Sequence, residues 1–263
     1  MLALYSKNKA GNEAFKIFCT PHFRMVYEGS QIENAEHISL EFQGLNTIGY
    51  RWNKGGSKKA LIVHGFRSSS INFQHFATKL AAKGYEVMAF DAPAHGLSEG
   101  KMLNAVDYKN YIAAVNQQFG PFDAYLCHSF GGLAVSMNLA EMADNKKIRT
   151  ALIAPAANSK QLIESFFKEM HIANKKVQEH FYATINKLSG KDIEWFSIKR
   201  CVEDIQGDIF WIHDTNDHIT PINDALEIQK MKQPNFRFMF TNGLGHRRIY
   251  RDSEVISAIV DFL

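Results

Sequence analysis

One short run, Cys127-His128-Ser129-Phe130-Gly131-Gly132, combines a nucleophilic side chain with the glycines needed to display it. An apolar stretch, 122–127, leads into the run, and a helical pattern leaves it near Gly132. Glycines directly after a serine at a strand-to-helix junction let the backbone turn sharply. Such a turn holds the hydroxyl clear of the chain, over the N-terminus of the next helix. A serine hydroxyl is too weak an acid to attack unaided, so a base must take its proton. The usual form of the turn is Gly-x-Ser-x-Gly, and Cys127 stands at the first glycine. Cysteine is small, apolar and commonly buried, so Cys127 reads as a strand residue and not as a second nucleophile. A buried or helix-capping serine is the alternative role for Ser129.

A base and an acid must then meet Ser129. The chain has 11 histidines, so a histidine alone says little. His246 follows the glycine-rich run Asn242-Gly243-Leu244-Gly245, just past the last strand pattern. Its ordinary pKa near neutrality suits proton shuttling. Its rivals are His64, His95, His128, His213 and His218. Asp214 and Asp217 compete as the acid that would orient an imidazole, and Asp91 lies farther upstream.

Residues so far apart need a scaffold that gathers them. Apolar runs at 60–63, 85–90, 122–127, 150–154, 209–213 and 237–240 alternate with helical patterns, after a hairpin at 38–42 and 47–52. Strands alternating with helices imply a mostly parallel sheet covered on both faces. Working residues gather at the carboxyl ends of such strands. His64, Asp91, Ser129, Asp217 and His246 all fall at or just past those ends. The rhythm breaks over 159–199, where apolar residues keep helical spacing and no strand pattern occurs. This predicts an inserted helical cap over 158–200, on a core of 1–157 and 201–263. Residues 1–37 are poorly patterned, although Phe15, Ile17, Phe18, Phe23 and Val26 suggest that part of them packs on the domain.

The 263 residues suffice for one large core with an insertion. The net charge is +3, spread as isolated basic doublets, which does not suit nucleic-acid binding. Three distant cysteines outside any CxxC spacing fit neither a disulfide framework nor a zinc site. Free thiols suit a reducing compartment, so the cytoplasm is the expected address. Lys7 and Lys9 are followed by no apolar core or cleavage site, so no signal peptide is expected. No apolar run is long enough to span a membrane.

Five landmarks in this order resemble the α/β-hydrolase family from about residue 38 onward. They are His64-Gly65-Phe66, Asp91-Ala92-Pro93-Ala94-His95-Gly96-Leu97-Ser98, the Ser129 turn, the segment from His213 to Pro221, and Gly245-His246. The chain order Ser, Asp, His is that family's order. The resemblance implies an α/β-hydrolase fold, with a mostly parallel sheet of the eight-stranded type and helices on both faces. It implies Ser129 as nucleophile, His246 as general base and Asp217 as the orienting acid. Asp214 then occupies the usual glycine position of an H-G-x-x-D pattern, and Asp91 stabilises its own turn. The backbone N–H groups of Phe66 and Phe130 would form the oxyanion hole.

The expected reaction is cleavage of an ester, thioester or lysophospholipid-like acyl bond through an acyl-enzyme, with no metal or organic cofactor. The expected partner is a small acyl substrate, partly apolar. Phe166, Phe167, Met170 and Trp195 are candidate substrate contacts, with Phe181 and Phe196 in the same apolar set. Arg67 and Arg247 adjoin site residues and could hold an anionic substrate, or could be solvated surface residues. The alternatives are a carbon–carbon hydrolase or acyltransferase on this fold, or a non-catalytic binding protein.

Overall fold

The computed structural model describes residues 7–22, 32 and 34–263. Phe23 and Val26 lie outside that set. The described chain starts with helix α1 (Lys7–Cys19), then runs β1 (Glu36–Phe42), β2 (Leu45–Trp52), β3 (Lys58–Val63), α2 (Gln74–Ala82) and β4 (Tyr85–Phe90). It continues through α3 (Ala105–Phe119), β5 (Ala124–His128), α4 (Phe130–Glu141) and β6 (Arg149–Ile153). Next come α5 (Ser159–Glu169), α6 (Lys175–Ser189), a 3-10 turn (Ile193–Trp195) and α7 (Ile198–Cys201). The end of the chain holds β7 (Asp208–Asp214), α8 (Asn223–Lys230), β8 (Phe236–Thr241), α9 (Gly245–Arg248) and α10 (Ser253–Phe262).

The eight strands form one sheet in the order β1-β2-β4-β3-β5-β6-β7-β8. The β1–β2 and β2–β4 pairs are antiparallel, and the other pairs are parallel. The hairpin turns on Gln43 and Gly44, both at positive φ (52° and 75°), which the tight type I′ turn demands. Along the central strands, alternate residues feed opposite cores. Leu61, Met88, Tyr125 and Leu152 pack with α3 and α4 on one face. Ile62, Val87, Leu126 and Ile153 pack with α2 and α10 on the other. Both cores pull on every central strand, so β4 and β5 are buried throughout their length.

Between β6 and β7 the chain leaves the sheet and returns beside its point of departure. Ser159 N–H donates to Phe196 O (3.1 Å), and Ile198 N–H donates to Ala157 O (2.9 Å). Asn158 and Asn174 cap α5 and α6 by accepting the N–H groups of Lys160 and Lys176. α7 lies past this neck, and its Ile198 and Cys201 join the main core. At α7 the chain is thus back on the main core.

The N-terminal helix packs on the inserted helices, not on the sheet. Ala10, Ala14, Phe15 and Cys19 share a core with Ile163, Phe167, Val177 and Phe181. At the crossing, a Cβ on Gly11 would stand 2.5 Å from His180 Cβ, so α1 and α6 touch nearly backbone to backbone. Phe15 and Phe18 meet Phe181 edge-on at 5.6 and 5.7 Å. Cys19 O ties the helix to the main domain by accepting Leu103 N–H (2.9 Å). No described helix is long and apolar enough to cross a membrane.

Candidate active site

β5 ends at His128, and α4 starts at Phe130. Ser129 turns the corner alone, at φ 52° and ψ −121°. A non-glycine residue in this region costs about 1–3 kcal/mol. Three hydrogen bonds hold it there: its N–H donates to Ile153 O (3.0 Å), and its carbonyl accepts the N–H groups of Gly132 (2.9 Å) and Ala156 (3.0 Å). Gly131 is needed because a Cβ would come within 2.6 Å of His64 O. Ser129 occupies the N-cap position of α4, yet its side chain caps nothing. The hydroxyl instead meets His246 Nε2 at 3.0 Å. Cys127 is fully buried in β5, and burial pushes its thiol well above the ordinary range.

His246 lies on α9, one residue after Gly245, which takes positive φ (62°). Asp214 anchors this segment to β7. It accepts Leu244 N–H (3.0 Å) and Thr241 Oγ1–H (2.7 Å). Asp217, not Asp214, meets His246, with Oδ2 2.7 Å from Nδ1. The Asp217 carboxylate is otherwise saturated. Oδ1 accepts the N–H groups of Ile219 (2.8 Å) and Thr220 (2.9 Å), and Oδ2 accepts Thr220 Oγ1–H (2.9 Å). Burial alone would raise its pKa. The His246 hydrogen bond and charge, with the Thr220 and Ile219 amides, outweigh burial and lower it to about 2. Thr220 was not singled out from the sequence, yet its Oγ1 is 3.1 Å from His246 Nδ1 as well. The spacing Asp-x-x-Thr, in which an aspartate folds back on its own turn, was the available signal.

Four rival histidines are committed elsewhere. His64 Nδ1–H donates to Gly65 O (2.8 Å) while Nε2 accepts Ala92 N–H (3.0 Å), so the ring is neutral and clips the end of β3 to the end of β4. His213 accepts Trp211 Nε1–H at Nδ1 (3.2 Å) and donates from Nε2 to Thr220 O (2.6 Å). His128 donates from Nε2 to the carbonyl of His246 itself (3.0 Å), steadying the backbone of the neighbouring imidazole. His95 donates to Pro93 O (2.9 Å), and His218 is exposed. Asp91 holds its own turn, accepting Leu97 N–H (2.9 Å), and also reaches Ser70 N–H (2.8 Å).

Burial lowers His64 to about 4 and His128 to about 3. Both must charge on unfolding below their ordinary value near 6.5, so the unfolded chain binds more protons there. Stability is thus full above pH ~6.5 and falls as pH drops toward 4, by on the order of several kcal/mol. The melting temperature should fall across that window; a flat profile from pH 6.5 to 4 would contradict the buried neutral rings.

The His64-Gly65-Phe66 loop lies against the serine. A Cβ on Gly65 would stand 2.8 Å from Ser129 Cβ and 3.0 Å from His128 Nδ1. Gly65→Ala should therefore displace the serine and lower kcat by roughly 10²-fold. Steady-state kinetics on the purified variant check this, and unchanged kcat would mean the loop yields freely. Phe130 opens α4, so its N–H has no acceptor inside the helix. The rings of Phe66 and Phe130 meet edge-on at 5.9 Å.

A cavity of about 990 Å³ opens over Ser129 and His246. Phe66 and Phe130 line it, as do Phe166 and Met170. Phe167 and Trp195 do not. Phe167 turns into the core shared with α1, and Trp195 lies under the Arg200 guanidinium, 4.1 Å from its ring centre. Phe15, Ile17 and Phe18 of α1 complete the wall.

The family model described as serine aminopeptidase, S33 (Hydrolase_4) matches residues 57–204. A serine hydrolase-like protein of Dictyostelium discoideum is 30% identical over 121 residues, 43% of this chain and 33% of that one. The dihydrolipoyllysine-residue acetyltransferase component of an acetoin cleaving system of Cupriavidus necator is 27% identical over 128 residues, 47% of this chain and 34% of that one. The chain thus spans about a third of the length of these curated relatives. Among solved structures, the Pyrococcus furiosus esterase Pf2001 superposes with TM-score 0.69 at 19% identity, over 93% of this chain and 97% of that one. The thioesterase domain from the curacin biosynthetic pathway gives 0.62 at 18%, over 86% and 98%. At such identities the likeness is one of fold. With more than half of its residues matched by the family model and its sheet built in the same way, the chain belongs to the serine aminopeptidase S33 (Hydrolase_4) family of α/β-hydrolases.

Proposed function

We propose that the protein is a serine hydrolase that cleaves a carboxylic ester or related acyl bond through Ser129, His246 and Asp217. One observation carries the reading: a single imidazole touches Ser129 Oγ with one nitrogen (3.0 Å) and Asp217 Oδ2 with the other (2.7 Å). With Asp217 accepting from Nδ1–H, Nε2 keeps its lone pair toward the hydroxyl. Ser129 Oγ attacks the acyl carbon as Nε2 takes its proton. The carbonyl oxygen becomes an oxyanion, which the N–H groups of Phe66 and Phe130 would meet; one such donor is worth about 3–4 kcal/mol of barrier. The protonated imidazole returns its proton to the leaving oxygen or sulfur as the bond breaks. Water, deprotonated by the same nitrogen, then attacks the acyl-enzyme. This releases the acid and restores the serine.

The helices between β6 and β7, with α1, would act as a cap that selects the acyl group. Their contribution to the cavity wall is largely apolar, including Leu162, Ile163, Phe166 and Ile185. p-Nitrophenyl esters of increasing chain length test both parts of the reading. Turnover should rise with chain length and then fall when the cavity is filled. A silent panel would count against the hydrolase, and a flat profile against the apolar cap.

A further inference from the structure

The apolar wall accounts for one end of a substrate, and the rim beside the reacting atoms has a different character. Arg67, Arg247 and Arg251 all line the cavity, against one lining carboxylate, Glu169 at the end of α5. Arg67 directly follows Phe66, and Arg247 directly follows His246. Each side chain therefore starts one residue from a group expected to act at the proposed reaction centre.

Neither arginine is used by the protein itself. Arg51 pairs with Glu36, Arg149 donates to Phe262 O, Arg200 to Trp195 O, and Arg248 to the carbonyls of Gly243 and Leu244. Among the described residues, the side chains of Arg67 and Arg247 have no hydrogen bond or ion pair, and both residues are exposed. Arg67 also sits at φ 56°. Glycine or asparagine would occupy that region at lower cost. An arginine kept there, unpaired and facing a cavity, is placed for a ligand.

We infer that this site takes an acyl ester whose alcohol half carries a phosphate-type anion a few bonds from the ester oxygen, held by Arg67 and Arg247, with the hydrocarbon chain against α1, α5 and α6. The inference rests on the hydrolase reading and narrows it. Guanidinium groups suit phosphate because their N–H groups form a planar fork that can bind two oxygens at once. Both arginines are chain neighbours of residues that face the reacting carbonyl. An anion at the end of a long linker, as in a pantetheine thioester, would pass beyond them. A neutral glyceride would leave both without a partner.

The test uses the full chain and two amphiphiles of equal chain length, decyl phosphate and decyl glycerol ether, each titrated calorimetrically below its micelle concentration. Decyl phosphate should bind at least tenfold more tightly, and the margin should shrink as salt is raised. In the double variant Arg67→Gln/Arg247→Gln the ratio should fall to within about twofold of unity. Equal affinities in the wild type, or a margin that survives in the double variant, would overturn the inference. Inorganic phosphate binding as tightly as decyl phosphate would also overturn it, by making this a free-anion site. In the catalytic arm, 1-decanoylglycerol 3-phosphate should exceed 1-decanoylglycerol in kcat/KM by at least tenfold, and a decanoyl pantetheine thioester bearing a distal phosphate should show no such advantage over the neutral glyceride. Turnover of both glycerol esters at equal kcat/KM would defeat the anion preference and leave the hydrolase intact. Silence toward all esters would defeat the hydrolase, and the titrations would still decide the anion site.

Discussion

Ser129→Ala is expected to lower kcat for ester cleavage by at least about 10⁴-fold and to abolish covalent labelling by a fluorophosphonate. The size follows from the geometry. The hydroxyl is presented from the elbow to His246 Nε2 at 3.0 Å, and alanine removes the side-chain oxygen that this nitrogen would activate. The substitution should leave the fold alone. Ser129 is 8% exposed, its side chain does not cap α4, and the strained backbone is held by main-chain hydrogen bonds that alanine keeps. A melting temperature near that of the wild type, with lost turnover, would separate chemistry from collapse. Labelling of the alanine variant would sink the assignment, and Cys127, buried in β5, would not explain it.

Asp217→Asn should cost about 10⁴-fold in kcat, by reversing a tautomer. Oδ1 accepts two backbone N–H groups, from Ile219 and Thr220. The asparagine oxygen must keep that position, because an NH2 group there would face two donors. The amide NH2 is then forced onto the Oδ2 position, facing His246 Nδ1, which Oδ2 contacts at 2.7 Å in the wild type. A donor there makes Nδ1 an acceptor and moves the ring proton to Nε2. Nε2–H cannot accept the Ser129 proton. The loss should appear in kcat, with slower fluorophosphonate labelling and an intact fold. Activity within tenfold of the wild type would show that Asp217 does not orient the base. The lowered pKa of Asp217 adds a pH signature: its contribution to stability is full above its ordinary value near 4 and is lost as pH falls toward 2. The asparagine variant should lack that final loss.

The sheet was legible because each central strand is a short apolar run stopped by glycine, proline or a polar turn, and both of its faces are buried. Ser129, Asp217 and His246 were legible through order and placement: each lies just past a strand end, and the structure brings the three side chains into contact. Thr220 was missed because its importance lies in a hydroxyl shared between Asp217 and the His246 ring, and adjacency in space is not written as a pattern. The helix over 7–19 was missed for another reason. Beside Phe15 and Phe18, the crossing itself is made by Ala10, Gly11 and Ala14, small residues that carry little hydrophobic signal yet allow the closest approach. The aromatic residues of 159–199 could be placed on helices, but not on faces. Phe166 and Phe167 are neighbours in sequence, and one lines the cavity while the other supports it from behind.

The backbone-close crossing of α1 and α6 has a consequence for biosynthesis. The first of these helices leaves the ribosome with Phe15 exposed, and its partner Phe181 follows 166 residues later (181 − 15). At ordinary elongation rates of about 5–20 residues per second, that is a wait of roughly ten to thirty seconds. Through that interval Phe15 lacks the ring it meets edge-on in the folded chain. The elbow and its parallel strands can consolidate meanwhile. The stretch of cavity wall that α1 and α6 build together therefore cannot set until α6 has been made.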